Sequence, residues 1–442
     1  MKKKYFGTDG IRGKFNQFPM TTLFFFSLTE AIKKTKKNLK KVLIGKDTRM
    51  SGSSIENDLF NGFKIVGVEV DKAGIISTPM LSYYTKKKKY DLGIMISASH
   101  NPYQDNGLKV FNSSGEKLTD DEEIKVEKNI VLKNHNFPTK KINLSSDKKF
   151  SEYEENLLKR FRTITNFRQK IVLDCANGSL FDLGPRIFKK LKLNHINYFT
   201  SPDGKNINKK CGATFPEELS RLTLKNNADL GISFDGDADR VIFCDNKGQI
   251  IDGDFILALL ATSLKKNNKL ENGIVVSTKM CNLGLREFLK KEKIKLTLSD
   301  VGDRYVVEEM KQKQGLLGGE QSGHIIFAEN SYCGDGIFTA LEVIEILNQM
   351  KCSLNEACSR LFKKYPQRLV NLKLKNNPYE ILNKNNIKML LRQNKKQKES
   401  EVLLRKSGTE NLLRLMVQGK CERKVNSIIE QFVSEIRKID EK

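Results

Sequence analysis

Short apolar runs that stop at small polar residues recur along this chain of 442 residues. Val42-Leu43-Ile44, Leu92-Gly93-Ile94-Met95-Ile96, Ile171-Val172-Leu173, Leu230 to Phe234, Gly273 to Val276 and Val402-Leu403-Leu404 each have the length of a buried strand. Helices are predicted between them. One follows Pro19, one begins near Ser151, and an apolar one runs from Phe255 to Leu264. Another runs from Phe338 to Leu347, where apolar positions follow helical spacing after a Gly334-Asp335-Gly336 start. Strands alternating with helices predict an α/β protein. The chain exceeds what one core can hold. Polar residues between Lys133 and Lys148 (Asn134, Asn136, Pro138, Ser145, Ser146) read as a linker, Asp252-Gly253-Asp254 as a second break and Tyr365-Pro366 as a hinge. The expected domains are 1–150, 151–252, 253–365 and 366–442.

Two strand ends carry chemistry. Leu92 to Ile96 runs into Ser97-Ala98-Ser99-His100-Asn101-Pro102. Pro102 disfavours a helical Asn101, so the chain must turn there. Ser99 thus sits on a loop at the carboxyl end of a strand, where open α/β sheets place their sites. A serine hydrolase is a weak reading. There is no Gly-x-Ser-x-Gly elbow, and adjacent residues on extended backbone point apart, which leaves His100 badly placed as a base for Ser99. Asn106-Gly107 signals a tight turn into Lys109-Val110-Phe111, a hairpin that returns Lys109 towards Ser99. The second strand end is Asp235-Gly236-Asp237-Ala238-Asp239-Arg240. Three carboxylates at alternate positions share a face if the backbone is extended, and a hard divalent cation is their natural partner. An EF-hand is excluded, because Arg240 and Asn246 stand where that loop needs Gly and Glu.

Together these loops resemble the α-D-phosphohexomutase family, and the resemblance spans nearly the whole chain. It continues through Phe6-Gly7-Thr8-Asp9-Gly10-Ile11-Arg12-Gly13, Gly45-Lys46-Asp47-Thr48-Arg49, Asp105 to Lys109, Gly302-Asp303-Arg304-Tyr305, Gly319-Glu320-Gln321-Ser322-Gly323-His324 and Ser407-Gly408-Thr409-Glu410. The opening motif and Gln321 look most like the amino-sugar branch. The resemblance implies three similar α/β domains and a smaller α+β C-terminal domain around a central cleft. It implies interconversion of the 6- and 1-phosphates of glucosamine, as precursor for cell-wall synthesis, with mannose and glucose phosphates as the alternative. Ser99 would carry a phosphoryl group, and Asp235, Asp237 and Asp239 would hold one Mg²⁺ together with the Ser99 phosphate. A sugar bisphosphate would be intermediate and activator. Arg12, Lys109 and His324 would handle protons and charge. Arg240, Glu320 and Ser322 would hold the sugar, and Arg405, Ser407, Gly408, Thr409 and Arg414 the distal phosphate. Phe215 stands where relatives carry histidine, and Lys406 and Asn411 where they carry proline. The charges of Lys46, Asp47 and Arg49 are expected to brace the serine loop.

Composition changes this picture little. The net charge of +25 is spread as lysine, without the aromatic interleaving of RNA binders, and reads as a solvated surface that attracts anionic sugar phosphates. A nucleic-acid binder would leave the acidic loop unexplained, and a phosphatase with an Asp nucleophile would not need Ser99. No apolar run is long enough to cross a bilayer. Lys2-Lys3-Lys4 before Leu23-Phe24-Phe25-Phe26 imitates a signal peptide, but Asp9, Arg12 and Lys14 interrupt it and no small-x-small cleavage site follows before Glu30. Eight scattered cysteines lack metal or redox spacing. The expectation is a cytoplasmic monomer or homodimer with a small phosphosugar as partner, binding neither nucleic acid nor membrane.

Overall fold

The computed structural model describes residues 3–132, 148, 150–270, 273–396, 400–406 and 411–441. The linker expected between Lys133 and Lys148 lies outside the described residues, save for its last member. The described residues form four sheets. The first holds β1 (Ile11–Lys14), β2 (Lys41–Lys46), β3 (Glu69–Ile75), β4 (Leu92–Ile96) and β5 (Asp105–Asn112). The second holds β6 (Ile171–Asp174), β7 (His195–Tyr198), β8 (Leu230–Phe234), β9 (Val241–Asp245) and β10 (Ile250–Ile251). The third holds β11 (Ile274–Thr278), β12 (Lys295–Ser299), β13 (Leu317–Gly319) and β14 (Ile325–Phe327). The smaller fourth sheet is antiparallel, with β17 (Leu412–Gly419) between β15 (Gln367–Lys373) and β16 (Ser400–Lys406).

The first three sheets repeat one plan. Their orders, β5-β4-β2-β3, β9-β8-β6-β7 and β14-β13-β11-β12, are the same arrangement, with β1 and β10 added at an edge. The first three strands of each set are parallel and the fourth is antiparallel. Parallel neighbours need crossover connections. Helices Gly52–Ile65 and Thr78–Lys87 supply them in the first sheet, Leu183–Lys190 and Pro216–Lys225 in the second, Leu283–Lys291 and Asp303–Lys313 in the third. Such covering buries both faces, so β4 and β8 are buried at every residue and read as unbroken apolar runs. The α/β architecture of three similar units and a smaller fourth is therefore present.

The third and fourth strands of each unit are joined by a turn, and these turns are the Ser99 loop, the Asp235 loop and the Glu320 loop. One topological position has been used three times. A continuous apolar cluster ties the three units together, running from Leu43 and Tyr84 through Tyr153, Leu173 and Phe234 to Ile256 and Ile344. The fourth unit has its own core. Leu413, Leu415 and Val417 of β17 meet Val425, Ile428, Phe432 and Ile436, the apolar stripe of helix Glu422–Asp440.

One expectation needs correction. Asn106-Gly107 is not a turn but lies inside β5, and the chain reverses over residues 97–104. The hairpin does return Lys109, opposite Met95 of β4. Gly107 is there for close packing, since a Cβ would lie 2.6 Å from the Ser97 carbonyl oxygen and 2.8 Å from that of Ile11. Three strands can close around this position only without a side chain. Gly107→Ala should accordingly destabilise the first unit by about 1–3 kcal/mol, read as a lower denaturation midpoint. An unchanged midpoint would mean that the strands have room to spare.

Candidate active site

Ser99 leaves β4 in a left-handed conformation, φ +51°, uncommon for a serine. This bend carries its Oγ to donate to Asp235 Oδ2 at 2.5 Å. It also brings Oγ within 3.2 Å of His100 Nδ1, against the expectation that the two would point apart. That expectation assumed extended backbone, which the positive φ removes. Burial, reinforced by the nearby charges of Arg240 and Arg12, pushes the His100 imidazole down to about 3, so it is neutral at neutral pH.

The loop is held from beneath by Arg49, whose side chain is wholly buried. Its Nη2 donates to the carbonyls of Ser99 (2.9 Å) and Asn101 (2.8 Å), and its Nη1 to those of Pro102 (2.5 Å) and Asp105 (3.1 Å). Asp47 fixes the guanidinium through Nε at 2.9 Å and accepts from Ser97 Oγ at 2.6 Å. Asp47 and Arg49 are the brace that the sequence suggested, and Lys46 pairs instead with Glu56 at 2.6 Å.

Asp235, Asp237 and Asp239 are all buried, and each offers an oxygen within 4.8 Å of the others. Asp237 Oδ1 and Asp239 Oδ1 have no hydrogen-bond partner although they are buried. Carboxylate oxygens stranded together in this way fit a hard divalent cation. Lys109 Nζ lies 2.8 Å from both Asp237 Oδ2 and Asp239 Oδ2, and Thr78 Oγ1 donates to Asp237 at 2.5 Å. Burial, then the charges of Asp239 and Asp237, push the Asp235 carboxyl up to about 8. Burial alone would lower the Lys109 ammonium, but Asp237, Asp239 and Asp9 outweigh it and hold it well above the usual range.

The third loop adds His324, with Nδ1 3.7 Å from Asp239 Oδ1 and Nε2 3.6 Å from Asp303 Oδ2. Glu320 accepts from the Gly302 N–H at 3.1 Å, and burial raises its carboxyl. Ser322 is exposed beside them. Arg240 donates its N–H to Asp235 Oδ1 at 3.2 Å, and its charge is felt by Asp239, Asp235 and Glu320. Arg12 pairs with Asp9 and donates to Asn101 Oδ1 at 3.2 Å. In the fourth unit Arg405 and Arg414 face each other across β16 and β17. Burial, and then Arg414, lower the Arg405 guanidinium, while Glu320 is near enough to act on it in the opposite sense. Ser407, Gly408 and Thr409 lie outside the described residues. The structure thus brings Ser99, the three aspartates, Arg12, Lys109, Arg240, Glu320 and His324 to one centre, with Ser322 and Arg405 at its border.

Asp9 and Asp303 stand inside motifs that assign them no role, and Lys117 stands in none of those motifs. Lys117 Nζ lies 2.5 Å from Asp9 Oδ1 and also pairs with Asp303. No local pattern marked it.

Four family models match consecutive stretches of the chain: phosphoglucomutase/phosphomannomutase alpha/beta/alpha domain I over 3–136, domain II over 148–248 and domain III over 252–365, and the C-terminal domain over 369–435. The phosphoglucosamine mutase of Buchnera aphidicola subsp. Baizongia pistaciae (strain Bp) is 41% identical, covering 99% of this chain and 97% of the relative. That of Clostridioides difficile (strain 630) is also 41% identical, covering 96% and 97%. Among solved structures, a phosphoglucomutase/phosphomannomutase family protein from Burkholderia thailandensis superposes with a TM-score of 0.79 at 21% identity, covering 98% of this chain and 96% of that one. Aspergillus fumigatus N-acetylphosphoglucosamine mutase, in complex with GlcNAc-6P and magnesium, gives 0.70 at 17% identity, covering 99% and 96%.

Asp237→Asn keeps the side chain's shape and removes one charge from the triad. Calorimetric titration with Mg²⁺ should show affinity weakened on the order of tenfold or more. An unchanged Kd would place the cation elsewhere.

Proposed function

The chain belongs to the phosphoglucomutase/phosphomannomutase family, and from that premise we propose that it interconverts glucosamine 6-phosphate and glucosamine 1-phosphate. The observation that carries the reading is the Ser99 hydroxyl set 2.5 Å from Asp235, inside a buried triple-aspartate site. The full-length likeness to phosphoglucosamine mutases supports the amino sugar as substrate.

In this reading Ser99 carries the phosphoryl group in the working enzyme. Asp235, Asp237 and Asp239 would hold Mg²⁺ together with the Ser99 phosphate, and the bound ion would supply neutralisation of charge during the transfer. The bond from Ser99 Oγ to phosphorus breaks as a bond from the sugar hydroxyl to phosphorus forms, giving a sugar bisphosphate. Its other phosphate then returns to Ser99, so added bisphosphate acts as an activator. Lys109 and Arg12 supply positive charge at fixed positions. His324, set between Asp239 and Asp303, is the candidate for exchanging a proton with the sugar hydroxyl. Arg240, Glu320 and Ser322 hold the ring.

Arg405 and Arg414, with Ser407, Gly408 and Thr409, grip the distal phosphate. The fourth unit meets the third through directed polar contacts. Gln418 accepts from the Leu283 N–H at 3.0 Å, Gln367 donates to the Met280 carbonyl at 2.8 Å, and Arg286 pairs with Glu401 at 2.9 Å. A separate core docked by such contacts suits a unit that loosens while the bisphosphate exchanges ends and closes to exclude water. A phosphosugar substrate and unpaired cysteines suit a cytoplasmic enzyme that needs neither nucleic acid nor membrane, as monomer or homodimer.

The test is a mutase assay on the 6-phosphates of glucosamine, glucose and mannose, each primed with a trace of the matching bisphosphate. Glucosamine 6-phosphate should give the highest kcat/KM, by about tenfold or more. A higher value for mannose or glucose would move the chain to the neutral-hexose branch.

A further inference from the structure

Around the centre, side chains of alternating charge form a closed ring. Asp9 stands 3.3 Å from Lys109 and 2.5 Å from Lys117, and Lys117 pairs in turn with Asp303. Asp303 faces His324 Nε2 at 3.6 Å, His324 faces Asp239 at 3.7 Å, and Asp239 returns to Lys109 at 2.8 Å. The mechanism uses His324, Asp239 and Lys109 directly but leaves Lys117 without a task. Lys117, its side chain 13% exposed, lies in the segment between β5 and helix Asp120–Lys128 of the first unit, whereas Asp303 opens helix Asp303–Lys313 of the third. Its ammonium therefore ties two units at the point where both face the reaction.

We propose that Lys117 is a positioning residue, which by holding Asp9 and Asp303 across the boundary of the first and third units sets where Arg12 and His324 stand relative to Ser99. The inference rests on the phosphoserine reading above. Its physical basis is that two largely enclosed carboxylates, 19% and 13% exposed, repel each other unless a cation stands between them. If Lys117 is removed, Asp9 and Asp303 repel each other across the boundary, and each draws its neighbour with it. Arg12 follows Asp9, and the face presented to His324 shifts with Asp303. A displacement of about 1 Å at reacting groups can cost on the order of a hundredfold in rate.

The same boundary supplies its own control. Arg304, next to Asp303, pairs with Glu123 at 2.7 Å and with Asp120, and Lys3 reaches both acids at 2.8 Å. This outer clamp joins the same two units without touching the ring. A merely structural role for Lys117 predicts that breaking either clamp has the same effect.

The experiment compares Lys117→Met, Lys117→Arg and Arg304→Gln in the full chain by steady-state kinetics and melting temperature. Lys117→Met should lower kcat by about a hundredfold with KM changed by no more than about threefold, because substrate contacts remain. Lys117→Arg should regain most of that loss, since a guanidinium can bridge two carboxylates. Arg304→Gln should lower the melting temperature while kcat stays within about threefold of wild type. Lys117→Met with near-normal kcat would overturn the proposal, as would Arg304→Gln losing as much kcat as Lys117→Met. If Lys117→Met does not fold, Asp303→Asn breaks the same link with less buried charge. It should show the same split, and normal kcat in the folded variant would overturn the proposal. Phosphoryl transfer from glucose 1,6-bisphosphate to dephosphorylated Ser99, followed by intact mass, keeps the two readings apart. Wild type that charges Ser99 but does not turn over glucosamine phosphates would refute the amino-sugar assignment, and the Lys117 comparison would then be made on the charging rate.

Discussion

Three carboxylates buried within 4.8 Å of one another are the constraint to which the rest of the structure answers. Two unit charges 4 Å apart interact by about 4 kcal/mol at an effective dielectric of about 20. A loop such as 235–240 therefore stays folded only if positive charge is brought to it. Arg240 supplies one charge within the loop, and the chain brings the others from outside it. Lys109 arrives from β5 of the first unit and His324 from the third, while Thr78 adds a neutral hydrogen bond from a helix start of the first unit. Docking of the units and assembly of the site are consequently one event. The interior of the centre is a chain of ion pairs in which removing either partner strands the other.

The repeated sheet plan explains why these groups meet. In each of the first three units the residues proposed for the chemistry sit on the turn from a buried parallel strand to its antiparallel neighbour. Three units joined by one apolar cluster can direct three such turns at one point, each from a rigid strand end. Under Ser99, Arg49 gathers four carbonyl groups and braces a left-handed serine. The fourth unit, with its own core, sets Arg405 opposite Arg414 and is held to the third by polar contacts.

Much of this was legible in the sequence, for identifiable reasons. Ser99 and the aspartate triad were readable because each sits at the end of an unbroken apolar strand, and the brace of Asp47 and Arg49 follows from the same logic one strand away. Local backbone was less legible. The Asn106-Gly107 pair has the composition of a turn, yet strand closure around β5 recruits the same glycine for space. On extended backbone His100 points away from Ser99, and only the left-handed serine brings the two within 3.2 Å. Lys117 could not be seen at all. It is one of 78 lysines and arginines, and its partners Asp9 and Asp303 are distant in sequence and from different units, so only the packed structure brings them together.

The central claim is that the phosphoryl group held by Ser99 is the one the sugar receives. The direct measurement is a single turnover with enzyme carrying ³²P on Ser99, mixed with excess unlabelled glucosamine 6-phosphate and quenched at successive times. The account predicts that label leaves the protein at the rate at which product forms and appears in glucosamine phosphates and their bisphosphate. Label that remains on the protein while product forms, or that leaves as inorganic phosphate, would contradict it.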